Sequence, residues 1–218
     1  LDQLLLVDDF GVESKRKNWE SKKFIKAIER QAFLAQLDAG EHEIDLMVHL
    51  GARTDTTEFN IDIFNDLNLN YTKSIWKLCT VNTIPLVYAS SAATYGLGEF
   101  GYDDDEKKIP LLKPLNPYGD SKNDFDKWAI LQNEMPPKWI GFKFFNVYGP
   151  NEFHKARMAS VIFHSYNQIK EKGFVKLFRS HNLNYTDGGQ LRDFVYVKDL
   201  VDVLYFAYTS NLNNGIYN

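Results

Sequence analysis

The sequence predicts an α/β fold in which helices cover both faces of a doubly wound parallel sheet. Short, nearly continuous apolar runs alternate along the chain with segments whose apolar residues recur at helical spacing. The runs have the character of strands that are buried on both faces, and the periodic segments have that of surface helices. Regular alternation of the two is typical of a parallel sheet, whose ligands bind at the carboxyl ends of the strands.

The first half of the chain follows the order strand, helix, strand, helix, strand. An apolar run ends at Asp8, and the helical pattern that follows is closed by Gly40. We therefore predict strands at residues 4–8, 44–50 and 85–89 and helices at residues 22–37 and 63–79.

The second half begins with a break in this alternation. Residues 97–115 combine glycines, prolines and an acidic run, which predicts an exposed loop insert. Asn116-Pro117 has the residue types of a helix start, and Gly173 is a helix stop. We predict helices from residue 116 to about residue 133, at 158–172 and at 199–208, and strands at 139–145, 175–178, 194–197 and 215–218.

The bulk composition indicates an ordinary globular protein. Of the 218 residues, 44% are apolar and 25% are charged, and a formal net charge of −4 gives no general attraction to nucleic acid. No apolar run approaches the length of a membrane span, so we expect no membrane contact and a cytoplasmic location. The single cysteine, Cys79, fits a reducing compartment and a small core residue. The histidines show no metal-ligand spacing, and we predict no metal site.

Three side chains form the sharpest chemical pattern. Tyr118 and Lys122 are four residues apart on a predicted helix and so share one face, while Ser91 lies 27 residues upstream at a predicted strand end. A neighbouring ammonium favours the phenolate, and a three-unit fall in the pKa of tyrosine corresponds to roughly 4 kcal/mol. The pattern predicts that Tyr118 is a general acid/base, that Lys122 activates it, and that Ser91 holds a carbinol oxygen whose carbon exchanges a hydride with nicotinamide.

These residues, together with the segments at 146–150 (Asn-Val-Tyr-Gly-Pro) and 192–199, resemble the extended short-chain dehydrogenase/reductase family over essentially the whole chain. Within that family, residues 154–164 and 51–58 are similar to the ADP-glyceromanno-heptose 6-epimerases of lipopolysaccharide core biosynthesis. The resemblance implies an isomerase that inverts C6 of an ADP-linked manno-heptose by transient oxidation with tightly held NADP and return of hydride to the opposite face. It also implies that Tyr118 and Lys155 carry protons for the two epimers.

The resemblance implies a Rossmann-like fold with a small C-terminal substrate-binding region. Such a fold begins with a strand and a Gly-rich turn that receives the pyrophosphate, and neither is present here, so we expect a piece of a longer protein. The expected division is a truncated dinucleotide-binding domain at residues 1–150 and a sugar-nucleotide-binding region at 151–218, which partly returns to the sheet and is truncated at its C-terminus. The resembled enzymes form homo-oligomers, and the same is expected here.

Two sets of contact residues follow from the resemblance. The cofactor set is Asp8, Asp9, Lys15, Leu50, Gly51, Ala52, Asn68, Lys122 and Val147. The set for the ADP-sugar substrate is Ser91, Asn146, Arg157, His164, Phe178, Ser180 and Arg192. Asp8 favours NAD, whereas Lys15 and the basic residues after it can neutralise a 2′-phosphate. The resembled epimerases share this arrangement and favour NADP, which we expect, with NAD as the alternative.

Other functions remain open at this point. A 4-epimerase acting on a nucleotide sugar would not need Lys155, which could instead contact a phosphate. A 4,6-dehydratase generally needs an Asp-Glu pair where this chain has Ala92, Ala93 and Thr94, which disfavours dehydration. A non-catalytic dinucleotide-binding protein could retain the fold, but it is expected to have lost a member of the serine, tyrosine and lysine set.

Overall fold

The computed structural model describes residues 3–218, which form two compact units. The sheet unit comprises the chain up to Phe144 together with Leu204–Asn218, and the small unit is Phe145–Val203. Within residues 3–218 the strands are β1 (Leu5–Asp8), β2 (Lys26–Glu29), β3 (Met47–His49), β4 (Leu86–Ser91), β5 (Trp139–Phe144), β6 (Asn146–Tyr148), β7 (Phe194–Tyr196) and β8 (Gly215–Tyr217). The α-helices are α1 (Arg30–Asp38), α2 (Ile61–Phe64), α3 (Tyr71–Val81), α4 (Pro117–Ala129), α5 (Val161–Lys172) and α6 (Val197–Thr209). The functional division near residue 150 stays a prediction.

The main sheet is parallel and has the strand order β3-β4-β5-β8. Strand β4 is buried on both faces, because Leu86 and Tyr88 join an apolar cluster with α1, α3 and α4, while Val87 joins a second cluster with Ala207 of α6. Alternating side chains of a strand point to opposite faces. Helices therefore cover both faces of the sheet, which confirms the predicted doubly wound arrangement.

Strands β1 and β2 pair in parallel as a separate two-stranded sheet. The helix predicted from residue 22 is therefore wrong in its first part, because Lys26–Glu29 is a strand and α1 begins only at Arg30. The apolar spacing fits a helix, but β1 supplies backbone partners to this segment, and Ile28 is buried in the core. Strand pairing with a distant segment overrides the local pattern here.

The segment predicted as an exposed loop insert, residues 97–115, is only partly exposed. It contains the 3₁₀ helix Glu106–Leu111, which begins where the Asp105 carboxylate accepts a hydrogen bond from the Lys107 amide at 3.0 Å. Ile109 and Leu112 are buried. These two apolar side chains anchor the segment, whereas its glycine, proline and acid content indicated a loop.

Helix α4 begins where the sequence predicts. The Asn116 side chain accepts a hydrogen bond from the Gly119 amide at 2.9 Å, and Pro117 occupies the first turn. The helix ends at Ala129, which is earlier than the predicted residue 133.

In the small unit, β6 and β7 pair in parallel, and α5 runs from a Ser160 cap to Gly173, whose φ of 75° favours glycine. The strand predicted at 175–178 is wrong. This segment is irregular, pairs with no strand of the described chain, and leaves Leu177 and Phe178 exposed. A short apolar run becomes a strand only beside an edge that completes its backbone hydrogen bonds.

Two findings bear on the expectations from composition. Cys79 is buried in α3, where burial raises the pKa of its thiol to about 12, so it is a core residue as predicted. Within residues 3–218, no helix combines the length and the apolar character that crossing a bilayer requires.

Candidate active site

Ser91 lies at the carboxyl end of β4, an interior strand of the main sheet. Its buried hydroxyl accepts a hydrogen bond from the Ala93 amide at 3.1 Å and caps the 3₁₀ helix Ala92–Tyr95. Parallel sheets bind ligands at this end of their strands. The hydroxyl is therefore fixed where a substrate oxygen can reach it.

Helix α4 brings Tyr118 and Lys122 to the same strand. The Lys122 ammonium donates to the Ala89 carbonyl at 2.6 Å, and the Tyr118 phenol interacts with the Ser91 side chain. Since Ala89 and Ser91 both belong to the end of β4, the two helix residues face one place. The structure thus brings together the three residues of the motif, and their catalytic roles stay a prediction.

The close approach of α4 to β4 depends on Gly119. A Cβ at this position would lie 2.9 Å from the Ala93 carbonyl oxygen and 2.9 Å from the Pro114 Cβ, closer than side chains pack. Any other residue would push the first turn of the helix away from the turn that follows Ser91. The glycine next to Tyr118 therefore has a steric role that the spacing of tyrosine and lysine did not indicate.

The electrostatics of this site differ from the expectation. Burial raises the pKa of Tyr118 above its ordinary value, and the interaction with Ser91 offsets part of that rise. Burial also lowers the pKa of Lys122 to about 8, against the opposing effect of the Asp126 carboxylate. The predicted fall in the pKa of Tyr118 is wrong, because desolvation dominates and the ammonium donates to the Ala89 carbonyl. The side chain of Tyr118 is therefore a protonated phenol at neutral pH.

Asn68, which was predicted to contact the cofactor, lies buried in the π-helical segment Asn65–Asn70. Its side chain accepts from the Arg53 amide at 2.8 Å and donates to the Arg53 carbonyl at 3.0 Å. It also donates at 3.0 Å to the hydroxyl of Ser121, which donates to the Tyr118 carbonyl at 2.7 Å. Asn68 thereby links the loop after β3 to the first turn of α4.

The acidic residues at the end of β1 are paired with cations. Lys15 lies 2.9 Å from Asp8, and Arg30 lies 3.7 Å from Asp9. The pairs are partly exposed, so a ligand can exchange with them at modest energetic cost. This end of β1 can accept either ribose hydroxyls on its carboxylates or a phosphate on its cations.

The chain after β3 leaves backbone open to a ligand. Leu50 and Gly51 are exposed, Ala52 is half-buried, and a Cβ at Gly51 would meet only the His49 ring, at 4.0 Å. Exposed backbone here and the partly exposed charges at the end of β1 are the kinds of group that contact a dinucleotide. The residues present in the sheet unit therefore fit a nicotinamide dinucleotide.

Lys155 lies in the small unit, in a tight turn organised by Glu152. The Glu152 carboxylate accepts from the Gly149 amide at 2.9 Å and from the Ser160 amide at 2.6 Å, and these bonds lower its pKa although burial opposes them. Lys155 is exposed, and its charge also stabilises the Glu152 carboxylate. Ala156 next to it has a φ of 47°, a strained region for a residue with a Cβ. The predicted second proton carrier, Lys155, is therefore next to a residue whose backbone conformation is strained.

The other residues predicted to hold a nucleotide sugar are spread over the small unit. Asn146 and Val147 lie on β6, Arg157 follows Lys155, half-buried His164 lies on α5, and Phe178, Ser180 and Arg192 lie on irregular segments. The Asn146 amide side chain donates to the Asp193 carbonyl at 3.0 Å, and Arg192 donates to the Leu191 carbonyl. In the described residues of this unit, no hydrogen bond joins Lys155, His164, Phe178, Ser180 and Arg192 to one another. Their shared function stays a prediction.

Sequence reasoning missed the charged groups buried beneath the motif. Asp126 and Lys143 form a fully buried ion pair, and His49 is buried beside Lys122. A signal was present, since Asp126 lies four residues after Lys122 on the same helix face and Lys143 interrupts an apolar strand. Glu152 in the small unit carried no comparable signal.

His49 ends β3 and is held by a hydrogen bond between its Nε2 and the Thr72 hydroxyl at 3.0 Å. Thr72 in turn donates to the Asn68 carbonyl. His49 therefore helps to hold Asn68, which links the loop after β3 to α4. Burial lowers the pKa of His49 to about 3, and the Lys122 ammonium contributes to that fall. The ring is therefore neutral at physiological pH.

Comparison with known proteins gives a consistent result. Residues 9–218 match the sequence pattern of the NAD dependent epimerase/dehydratase family. The chain is 47% identical over 222 residues to an ADP-L-glycero-D-manno-heptose-6-epimerase of Fusobacterium nucleatum, covering 100% of this chain and 67% of that protein. It is 40% identical over 220 residues to the enzyme of the same name from Nitratidesulfovibrio vulgaris, covering 100% of this chain and 68% of that protein. The crystal structure of the Helicobacter pylori ADP-L-glycero-D-manno-heptose-6-epimerase matches with a TM-score of 0.81 and 27% identity, covering 99% of this chain and 67% of that one.

The buried neutral His49 predicts an acid-dependent loss of stability. The unfolded chain binds a proton near pH 6.5, whereas the folded chain binds it only near pH 3, so stability falls as pH decreases between these values. Between pH 7 and pH 5 this group alone should cost about 2 kcal/mol of unfolding free energy. Urea unfolding at both pH values measures the loss, which should be smaller by that amount in His49→Gln. The exposed-loop variant His181→Gln should behave as wild type, and an equal loss in all three proteins contradicts the assignment.

Proposed function

The chain belongs to the NAD dependent epimerase/dehydratase family, and we propose that it inverts C6 of an ADP-linked manno-heptose. The observation that carries the chemistry is the contact of the Tyr118 phenol with Ser91 at the end of β4, beside the buried Lys122. The observation that supports this substrate is the name of relatives that are 40–47% identical over 100% of the chain.

The carbon to be inverted carries a hydrogen with no acidifying group beside it, so direct removal as a proton is unfavourable. The chemistry that a nicotinamide dinucleotide supplies when bound is reversible oxidation of the carbinol at this carbon. What remains for the protein is to hold the oxygen, to move its proton and to exclude water.

Tyr118 moves the proton of that oxygen for one epimer. Its phenol, kept protonated by burial, donates through Oη to the carbonyl oxygen as the carbinol re-forms, and it recovers the proton from the hydroxyl in the reverse direction. The Ser91 hydroxyl, fixed by the Ala93 amide, orients the same oxygen. The buried Lys122 ammonium stabilises the phenolate that exists between the two transfers.

Lys155 moves the proton for the other epimer. The oxygen occupies a different position after inversion, so a second carrier with its own hydrogen-bond reach is useful. Lys155 is exposed and therefore available to a ligand. We assign the sugar nucleotide to Asn146, Arg157, His164, Phe178, Ser180 and Arg192, with the arginines suited to its diphosphate.

NADP is the cofactor that we propose in preference to NAD. Lys15 pairs with Asp8 and so cancels the repulsion that a bare carboxylate would exert on a 2′-phosphate. Residues Asp8, Asp9, Lys15, Leu50, Gly51, Ala52, Asn68, Lys122 and Val147 form the proposed contact set.

Replacing Tyr118 by phenylalanine tests the proton carrier. The variant lacks Oη but keeps the ring, so kcat should fall by about 100- to 10,000-fold while substrate affinity changes little. Proton NMR of the two C6 epimers of an ADP-heptose, with the complete protein and cofactor, measures the conversion. The exposed-surface variant Tyr205→Phe is the control and should match wild type. Absence of conversion by the wild-type protein would sink the proposed substrate.

Replacing Lys155 by methionine separates C6 inversion from 4-epimerisation. For C6 inversion, loss of the second carrier should lower kcat by about 100-fold or more, because one epimer loses its proton partner. The same NMR assay measures it, and Lys172→Met on the last turn of α5 serves as the matched control. Turnover of the natural substrate that survives Lys155→Met favours the 4-epimerase alternative.

Replacing Lys15 by glutamine tests the choice of cofactor. Without the cation, the 2′-phosphate loses a charge-assisted contact, so the Kd for NADP should rise by about 10- to 100-fold while that for NAD changes little. Calorimetric titration of both dinucleotides measures this without turnover, and Lys26→Gln on β2 is the control. An equal change for the two dinucleotides contradicts the assignment of Lys15.

A further inference from the structure

The sheet unit contains an ion pair that is removed completely from water. Lys143 Nζ lies 2.7 Å from Asp126 Oδ2, and the two side chains are 1% and 0% exposed. Burying two charges costs desolvation that their mutual attraction offsets only when the geometry and the remaining hydrogen bonds are good. A pair of this kind is weak evidence for stability, so stability alone does not explain its presence.

The pair is connected to Ser91 by a short chain of hydrogen bonds. Lys143 donates to the Thr94 hydroxyl at 2.8 Å, and that hydroxyl donates to the Ser91 carbonyl at 2.8 Å. Thr94 is 0% exposed. The buried cation therefore fixes the turn that begins at Ser91.

A second set of hydrogen bonds joins the ion pair to Ser90, the residue before Ser91. The Ser90 hydroxyl donates to Asp126 at 2.6 Å, and the Tyr88 hydroxyl donates to the same carboxylate at 3.1 Å. Ser90 lies directly opposite Lys143 in the β4–β5 register. Asp126 thus accepts from Tyr88, Ser90 and Lys143, and it stands on α4 two turns beyond Tyr118.

Gly141 on β5 makes room for this arrangement. A Cβ there would lie 2.4 Å from the Tyr88 ring carbon that bears the hydroxyl. The ring lies over the glycine, and its hydroxyl therefore reaches Asp126. The network is built into the packing of β4, β5 and α4.

We infer that Asp126 and Lys143 are positioning residues for the reaction. They hold α4 against β4 in the position that places the Ser91 hydroxyl next to Tyr118. They bridge the two elements that carry the reacting side chains and touch neither substrate nor cofactor. This inference rests on the proposed function, since it concerns the same site.

The charge of Asp126 supports the inference. Its carboxylate opposes the fall that burial imposes on the pKa of Lys122. Besides Asp126 on its own helix, Lys122 interacts with neutral His49 at the end of β3. The carboxylate therefore favours the charged form of Lys122.

The test is the neutral double variant Asp126→Asn with Lys143→Met, which removes both charges of the buried pair and keeps an acceptor for Ser90. Removing a buried pair together is often neutral for folding, whereas removing one partner is not. We expect a folded protein whose kcat is lower by about 10- to 100-fold with KM within about twofold, because the reacting groups are misaligned but the substrate contacts remain. Circular dichroism and urea unfolding check the fold.

Two further variants keep the ion pair intact. Thr94→Val removes only the hydroxyl that joins Lys143 to the Ser91 carbonyl and should lower kcat, while Thr94→Ser retains the hydroxyl and should restore it. The control double variant, Asp124→Asn with Lys127→Gln, removes an exposed pair on the same helix and should leave kcat unchanged. This series decides the question even where the buried double variant fails to fold.

The results that overturn the positioning role differ from the result that overturns the proposed function. Wild-type kcat in the folded double variant, or equal kcat in the valine and serine variants, overturns the positioning role and leaves the epimerase proposal standing. If the wild-type protein does not convert an ADP-heptose, the proposed function fails, and amide hydrogen exchange then tests the geometry alone. Faster exchange of the Ala93–Tyr95 amides in Thr94→Val than in Thr94→Ser supports the network, and equal exchange overturns it.

Discussion

The packing of the first turns of α4 against the end of β4 is the contact on which both the sheet unit and its chemistry depend. Gly119 allows the helix to approach the turn after Ser91. The Lys122 ammonium holds the helix against the strand by donating to the Ala89 carbonyl. A helix displaced by even one methyl group would separate the phenol of Tyr118 from Ser91. Reacting groups tolerate such displacement poorly, because their effect depends on alignment at hydrogen-bond distance.

Desolvation determines the protonation states at this contact. Burial keeps Tyr118 protonated, lowers the pKa of Lys122 to about 8 and makes His49 neutral. Asp126 pairs with Lys143 and opposes the fall in the pKa of Lys122. A site that stores its proton on a phenol and its positive charge on nearby lysines suits repeated transfer of a proton to and from a carbinol oxygen.

The small unit follows a different construction. Its turn at Lys155 is organised by Glu152, which accepts from the Gly149 amide and from the amide and hydroxyl of Ser160. The turn includes a strained alanine and does not rest on a buried strand end. Strain of this kind persists only where the surroundings hold it, and it often accompanies a functional residue. The two proposed proton carriers therefore differ in their surroundings. Tyr118 is half-buried on α4, whereas Lys155 is exposed in the turn.

The sequence by itself determined the parallel α/β class, the start of α4 at Asn116-Pro117, the end of α5 at Gly173, and the set of Ser91, Tyr118 and Lys122, because these follow from local periodicity, capping residues and spacing. Only the tertiary structure decided that residues 26–29 form a strand, that 175–178 do not, and that Ile109 anchors a segment resembling a loop. It also decided the direction of the shift in the pKa of Tyr118 and the pairing of Asp126 with Lys143. Strand pairing and desolvation depend on which distant segments come together, and a local pattern carries no information about that.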